Sequence, residues 1–238
     1  MQIKFSTAKI ISMATEVVGV ALIILFSLSV YTTSEEMSIA TTHKLEMLKT
    51  AFALQQSSED LTKFAGDYVI TGDIKYKKLF LQVSNIRTGA VPRPTLLNSS
   101  YWYLPSALKT EHHKTKDPKS LGSIIESLPF TELELILIQK SHFESEQLEL
   151  IEGKMFKLVE SNQKEKAIDM YYSEDYHHSK VIIMTSLDKL YSSLNIRFKH
   201  EIEKLKAEQI HSLVRLFAIM FLISISKMIL PTRFKISN

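Results

Sequence analysis

Arg87 and Arg93 flank a turn at Gly89–Pro92 and stand close in sequence to Tyr101-Trp102, in the densest aromatic cluster of the chain. Guanidinium groups beside aromatic faces suit an anionic or carboxylate ligand, because the planar fork pairs with two oxygens and stacks on a ring. These four residues form the candidate ligand-binding set. Arg87 also has a plainer role, since a cation at a helix C-terminus stabilises by ~0.3–1 kcal/mol. Arg93, held between Pro92 and Pro94, is less easily explained that way.

Other chemistry is sparse. The 238 residues include no cysteine, which excludes disulfides, thiolate zinc sites and cysteine catalysis. His177-His178 are adjacent on a predicted helix and point about 100° apart, a poor arrangement for chelation. His112-His113 lie in a polar loop and read as solvated side chains. No metal site and no cofactor is expected. His-Glu-x-x-His, P-loop, G-x-S-x-G and G-x-G-x-x-G patterns are all missing, so no enzymatic activity is expected.

Charge argues against nucleic acid. Six of the 29 basic and one of the 26 acidic side chains lie in the terminal segments, which leaves 23 and 25 in residues 32–209. That near-neutral middle has no sustained basic stripe.

The elements that must position the two arginines are helices. Only six Gly and six Pro punctuate the chain, and hydrophobic residues make up 45% of it. Residues 10–31 are apolar except for Glu16, enough to cross a hydrocarbon core of ~30 Å. Lys4 and Lys9 precede this stretch and no basic residue follows until Lys44, so the positive-inside rule puts the N-terminus in the cytoplasm. Its length and the missing Ala-x-Ala site favour an uncleaved anchor over a signal peptide. A second apolar segment at 210–230 holds eleven uncharged residues, Leu216–Ser226, between Arg215 and Lys227, whose side chains can snorkel. The expected organisation is an N-tail at 1–9, spans at 10–31 and 210–230, an extracytoplasmic domain at 32–209 and a basic tail at 231–238.

Within that domain Ala40, Met47, Leu54, Leu61 and Tyr68 recur every seven residues, the mark of a long helix packed at a shallow angle. Thr71 ends the pattern, Gly72 can take the left-handed C′ conformation, and Asp73 can cap a helix over 74–88. These three residues are the expected structural hinge. A short helix is expected at 121–128, and Thr131 with Glu134 forms a capping box for the next long one. That helix is expected to turn Leu133, Leu137, Leu148, Ile151, Met155 and Leu158 inward, with a polar gap at Ser141 and Glu144. A last helix, beginning after Ser173, meets no Pro or Gly before Leu230 and is expected to run directly into the second span. The fold class is all-α, a long-helix, four-helix-bundle-like domain between two transmembrane helices.

The blocks Asp60-Leu-Thr-Lys-Phe-Ala65, Tyr68-Val-Ile-Thr-Gly-Asp73, Ile86-Arg-Thr-Gly89, Pro92-Arg-Pro94 and Tyr101-Trp102 together resemble the extracytoplasmic helical sensor region of bacterial two-span signalling receptors. Such regions precede chemoreceptor, diguanylate cyclase and histidine kinase outputs. The resemblance covers roughly residues 50–198. It departs at Gly66, where a basic residue is common, and at Ile74, where proline is common. Gly66 is expected to weaken the helix and to bend it before the hinge. The resemblance implies a sensory module of the inner membrane that relays an extracytoplasmic signal by helix displacement. The output domain it also implies is not among the 238 residues, so a truncated receptor, a sensor remnant and a subunit with a separate signalling partner are all open. The expected partners are the membrane, a second copy of the chain and an unknown small-molecule or protein signal. The alternative is a membrane-anchored adaptor whose helical bundle docks a partner without sensing anything.

Overall fold

With so few helix breakers, the hydrogen-bond ladder runs unbroken over long stretches. The computed structural model describes residues 2–94, 101–103 and 119–235, and helices are its only regular elements among them. In chain order they are α1 (Gln2–Thr71), α2 (Ile74–Thr88), a 3-10 turn (Tyr101–Tyr103), α3 (Leu121–Glu126), α4 (Glu132–Glu160), α5 (Lys164–Tyr171) and α6 (Glu174–Lys235). The chain divides into two units, Met1–Thr42 with Arg197–Asn238, and His43–Ile196.

In the first unit the helical segments of α1 and α6 approach each other, with Ser29 Oγ and Ser212 Oγ 3.0 Å apart in a hydrogen bond. The Arg215 guanidinium lies 5.9 Å from the Phe26 ring centre. Val17, Val20, Ile24, Leu25 and Leu28 of α1 are exposed, as are Val214, Phe217, Phe221 and Leu222 of α6. Both helices are long and apolar enough to cross a membrane. The helix α1 starts at Gln2 and so includes the stretch expected as the N-tail. At the other end α6 extends past Leu230. It continues through Pro231 to Lys235.

In the second unit the seven-residue repeat of α1 is buried at every position, from Ala40 just outside it through Met47, Leu54, Leu61 and Tyr68. Leu61, Phe64, Ala65 and Tyr68 then meet Phe80, Val83 and Ile86 of α2, Tyr101 and Trp102 of the 3-10 turn, and Phe156 of α4. The aromatic rings meet edge to face, Tyr68 and Phe156 at 5.1 Å and Phe80 and Phe156 at 4.9 Å between centres. This geometry sets each ring's positive edge against its neighbour's negative face.

The corner between α1 and α2 is built locally. Gly72 has φ of +75° and its N–H donates to Tyr68 O at 2.7 Å, closing α1 in the left-handed conformation that glycine adopts without strain. Thr71 Oγ1 accepts from the Asp73 N–H at 3.1 Å, and Asp73 Oδ1 accepts from the Lys75 N–H at 2.9 Å. At the other end of α2, Gly89 repeats the device with φ of +79°.

The register of α4 is the expected one at Ser141, Leu148 and Met155, which are buried, and departs from it at the N-terminus. Leu133 is 73% exposed, and the buried positions are Glu134, Ile138, Ser141, Ser145, Leu148, Glu152, Met155 and Phe156. The capping box is the cause at the N-terminus. Glu134 Oε2 accepts from the Thr131 N–H at 2.8 Å and Oε1 takes the Ser193 hydroxyl of α6 at 3.4 Å, so the inward stripe begins one residue later than the leucine pattern. Gly66 is also accounted for by packing. A Cβ there would lie 2.5 Å from Tyr171 Oη, so the bare helix surface admits the phenol of α5.

Candidate functional site

Arg87 reaches the buried stripe of α4. As the last basic residue of α2 it sits at a helix C-terminus, where the carbonyl ends favour a cation. Its side chain is nonetheless buried, and it extends to α4 rather than folding back on its own helix. Nη1 donates to Ser145 Oγ at 2.6 Å and Nη2 stands 3.3 Å from His142 Nδ1. Because Arg87 can only donate, His142 Nδ1 is the acceptor and Nε2 carries the hydrogen. That nitrogen faces Glu146 Oε1 at 3.3 Å. Glu149 Oε1 lies 3.6 Å from Nη1. Burial pulls the guanidinium below its ordinary range, and Glu149, Glu146 and Glu152 oppose that pull. Arginine stays charged through such a shift.

Arg87 lines a cavity of about 560 Å³ together with Thr88, Ser120, Gln139, His142, Glu146 and Glu149. The remaining wall is mostly apolar, from Leu54 of α1, Leu121 and Ile125 of α3, and Leu135 and Ile138 of α4. A few polar groups converging in an apolar cavity of this size is the usual form of a small-molecule site. The Arg87–Glu149 separation is wide for a charge-assisted hydrogen bond, which closes to ~2.7–2.9 Å. A ligand carboxylate can therefore take the guanidinium fork without breaking a tight ion pair.

The four residues grouped by sequence do not share this cavity. Arg93 is half-buried and lines a separate, more open one of about 880 Å³ with Glu46, Lys49, Tyr191 and Asn195. Burial lowers the Arg93 guanidinium, while burial and Glu59 push the Tyr191 phenol up to about 12. Tyr101 and Trp102 belong to the core. Trp102 packs edge to face on Phe64 at 5.5 Å, and its Nε1–H donates to Asp60 Oδ2 at 2.7 Å. Gln56 Nε2 donates to the other oxygen of Asp60 at 2.9 Å. Burial raises the Asp60 carboxyl, and the hydrogen bonds from Trp102 and Gln56 hold it down. Trp102 thus serves a buried carboxylate of α1 rather than the Arg87 cavity.

Three participants escaped the reading of the sequence. Ser145, His142 and Glu149 are the partners of Arg87, and each is 55 to 62 positions away along the chain. The only local signal was the polar gap noted near Ser141 and Glu144. Among the described residues no three His, Asp or Glu side chains are arranged to hold a metal. His177 and His178 both lie exposed on α6, and His112-His113 fall outside the described residues.

No protein-family model, no curated protein and no solved structure matches the chain.

Proposed function

We propose that the chain is a membrane-anchored sensory module of bacterial signal transduction. Residues 32–209 lie outside the plasma membrane, the Arg87 cavity takes a small carboxylate with an apolar body, and α6 carries the response inward. One observation supports this reading above the others. α6 is a single helix from Glu174 to Lys235, and it holds both bundle residues and an apolar segment long enough to cross a membrane.

The cavity is linked to α6 through neighbouring residues of α4. Arg87 bonds Ser145, while the adjacent Glu144 accepts from Ser179 of α6 at 2.8 Å. A carboxylate that draws Arg87 toward the cavity loosens its hold on Ser145 and lets α4 resettle against α6. Shifts of ~1–2 Å between packed helices are the common currency of such switches. The ligand biases the equilibrium only as far as it binds the two arrangements differently.

The test is a thermal-shift screen of the full chain in detergent against small carboxylates of varied apolar bodies. At least one should raise Tm saturably, since a ligand at one hundred times its Kd adds about 2.7 kcal/mol by mass action. Arg87→Lys keeps the charge and loses the fork, so it should abolish the response. A panel without any response would favour the adaptor reading, in which the bundle docks a protein.

A further inference from the structure

Glu152 stands in the buried stripe of α4 with none of its surface exposed. Its Oε1 accepts from the Tyr176 hydroxyl of α6 at 2.7 Å, and its Oε2 is buried with no hydrogen-bond partner among the described residues. A carboxylate offers about four acceptor positions, and leaving most of them unmet in a buried place is costly. A carboxylic acid has less charge to solvate and tolerates the same place. The surrounding charges do not close the gap. Arg87 of α2 and Lys180 of α6 attract the ionised form at a distance, and Glu149 on the same helix repels it. Tyr171 of α5 lies 5.3 Å from the Tyr176 ring and senses both Glu152 and Asp67 of α1. None of these groups forms an ion pair with Glu152.

We propose that Glu152 is a proton-binding site of the bundle, an input separate from the Arg87 cavity. It holds a proton on Oε2 in acid and releases it in base, and the Glu152–Tyr176 contact between α4 and α6 changes with it. Burial pushes the carboxyl up to about 7, the Tyr176 hydroxyl pulls it down, Glu149 adds to the rise, and Lys180 and Arg87 oppose it. The proton is therefore exchanged in a range where most carboxylates are already ionised. Tyr176 begins the helix that continues into the second apolar segment, so a change at this contact acts at the head of α6.

The sign of the linkage is fixed by the direction of the shift. A carboxyl bound more tightly to its proton in the folded chain contributes stability that is whole below its ordinary value of 4.5 and is lost as pH rises to about 7. Infrared difference spectra of the full chain in lipid nanodiscs read the protonated carboxyl C=O stretch directly. The wild-type band should disappear with a midpoint near 7, and Glu152→Gln should lack it. The Tm of wild type should fall over the same interval, and that of Glu152→Gln should not. Tyr176→Phe removes the donor that favours the ionised form, so the midpoint should move upward. The proposal is overturned if the band survives Glu152→Gln, or if it titrates with ordinary carboxyls near 4.5. Should Glu152→Gln fail to fold, Tyr176→Phe decides alone, and an unmoved midpoint is equally fatal.

Discussion

Arg87→Ala should lower the stability of the chain by about 2–3 kcal/mol, through hydrogen bonds left unmade by a buried cation. The loss has three parts. Ser145 Oγ is left buried without its donor at 2.6 Å, His142 Nδ1 loses its partner, and Glu149 loses the guanidinium 3.6 Å away. Removing one member of a fully buried ion pair costs more, ~3–5 kcal/mol, because the remaining charge is stranded. Here Glu149 is a third exposed, so water takes over part of its solvation and the lower range applies. Thermal melts of the full chain in detergent check the figure. A Tm within error of wild type would mean that Arg87 is not tied to α4. A plain C-terminal cation would account for only ~0.3–1 kcal/mol.

Gly89→Ala should cost about 2–4 kcal/mol and Gly72→Ala about 1 kcal/mol, although the two glycines share the left-handed conformation. With φ of +79° and +75°, each substitution carries the same backbone strain. Their surroundings differ. No described residue lies within 4 Å of a Cβ built at Gly72, whereas one at Gly89 meets Ser120 N at 2.7 Å and Lys119 C at 3.0 Å. Those are backbone atoms and cannot rotate away. Ser120 is also the N-cap of α3, taking the Ser123 N–H at 3.0 Å, and α3 walls the Arg87 cavity. Gly89→Ala should therefore weaken carboxylate binding as well as stability, while Gly72→Ala leaves binding unchanged. Equal Tm losses for the two variants would contradict this account of the close approach at Gly89.

Features made by neighbours along the chain were legible in the sequence. The repeat Ala40, Met47, Leu54, Leu61, Tyr68 needs only the helical period to declare its buried face. The ends of α2 at Asp73 and Gly89 and the start of α4 at Thr131 need only the unmet N–H and C=O groups of a helix and the residue types that satisfy them. The inward face of α4 was legible only in part: the pattern turned Ser141, Leu148 and Met155 inward, and all three are buried, but it missed Glu134, Ser145 and Glu152. The burial of those three is sustained by partners on other elements, Ser193 for Glu134, Arg87 for Ser145 and Tyr176 for Glu152. Hydropathy registers such a stripe as a surface, because it has no view of the donor that arrives from elsewhere. The candidate site shows the same limit. Nearness along the chain joined Arg87, Arg93, Tyr101 and Trp102, and packing sends them to two cavities and the core.

The proposed function requires that occupancy of the Arg87 cavity be felt in the apolar part of α6. The absence of native cysteine leaves a clean background for one introduced pair. Ser29 and Ser212 already meet, with their hydroxyls 3.0 Å apart, so Ser29→Cys with Ser212→Cys should cross-link readily. The decisive measurement is the rate of that disulfide's formation in membranes at fixed pH, with and without a carboxylate that raises Tm. The account predicts a several-fold change on adding the carboxylate, absent when Arg87→Lys is added to the pair. A carboxylate that raises Tm through Arg87 and leaves the rate unchanged would contradict it.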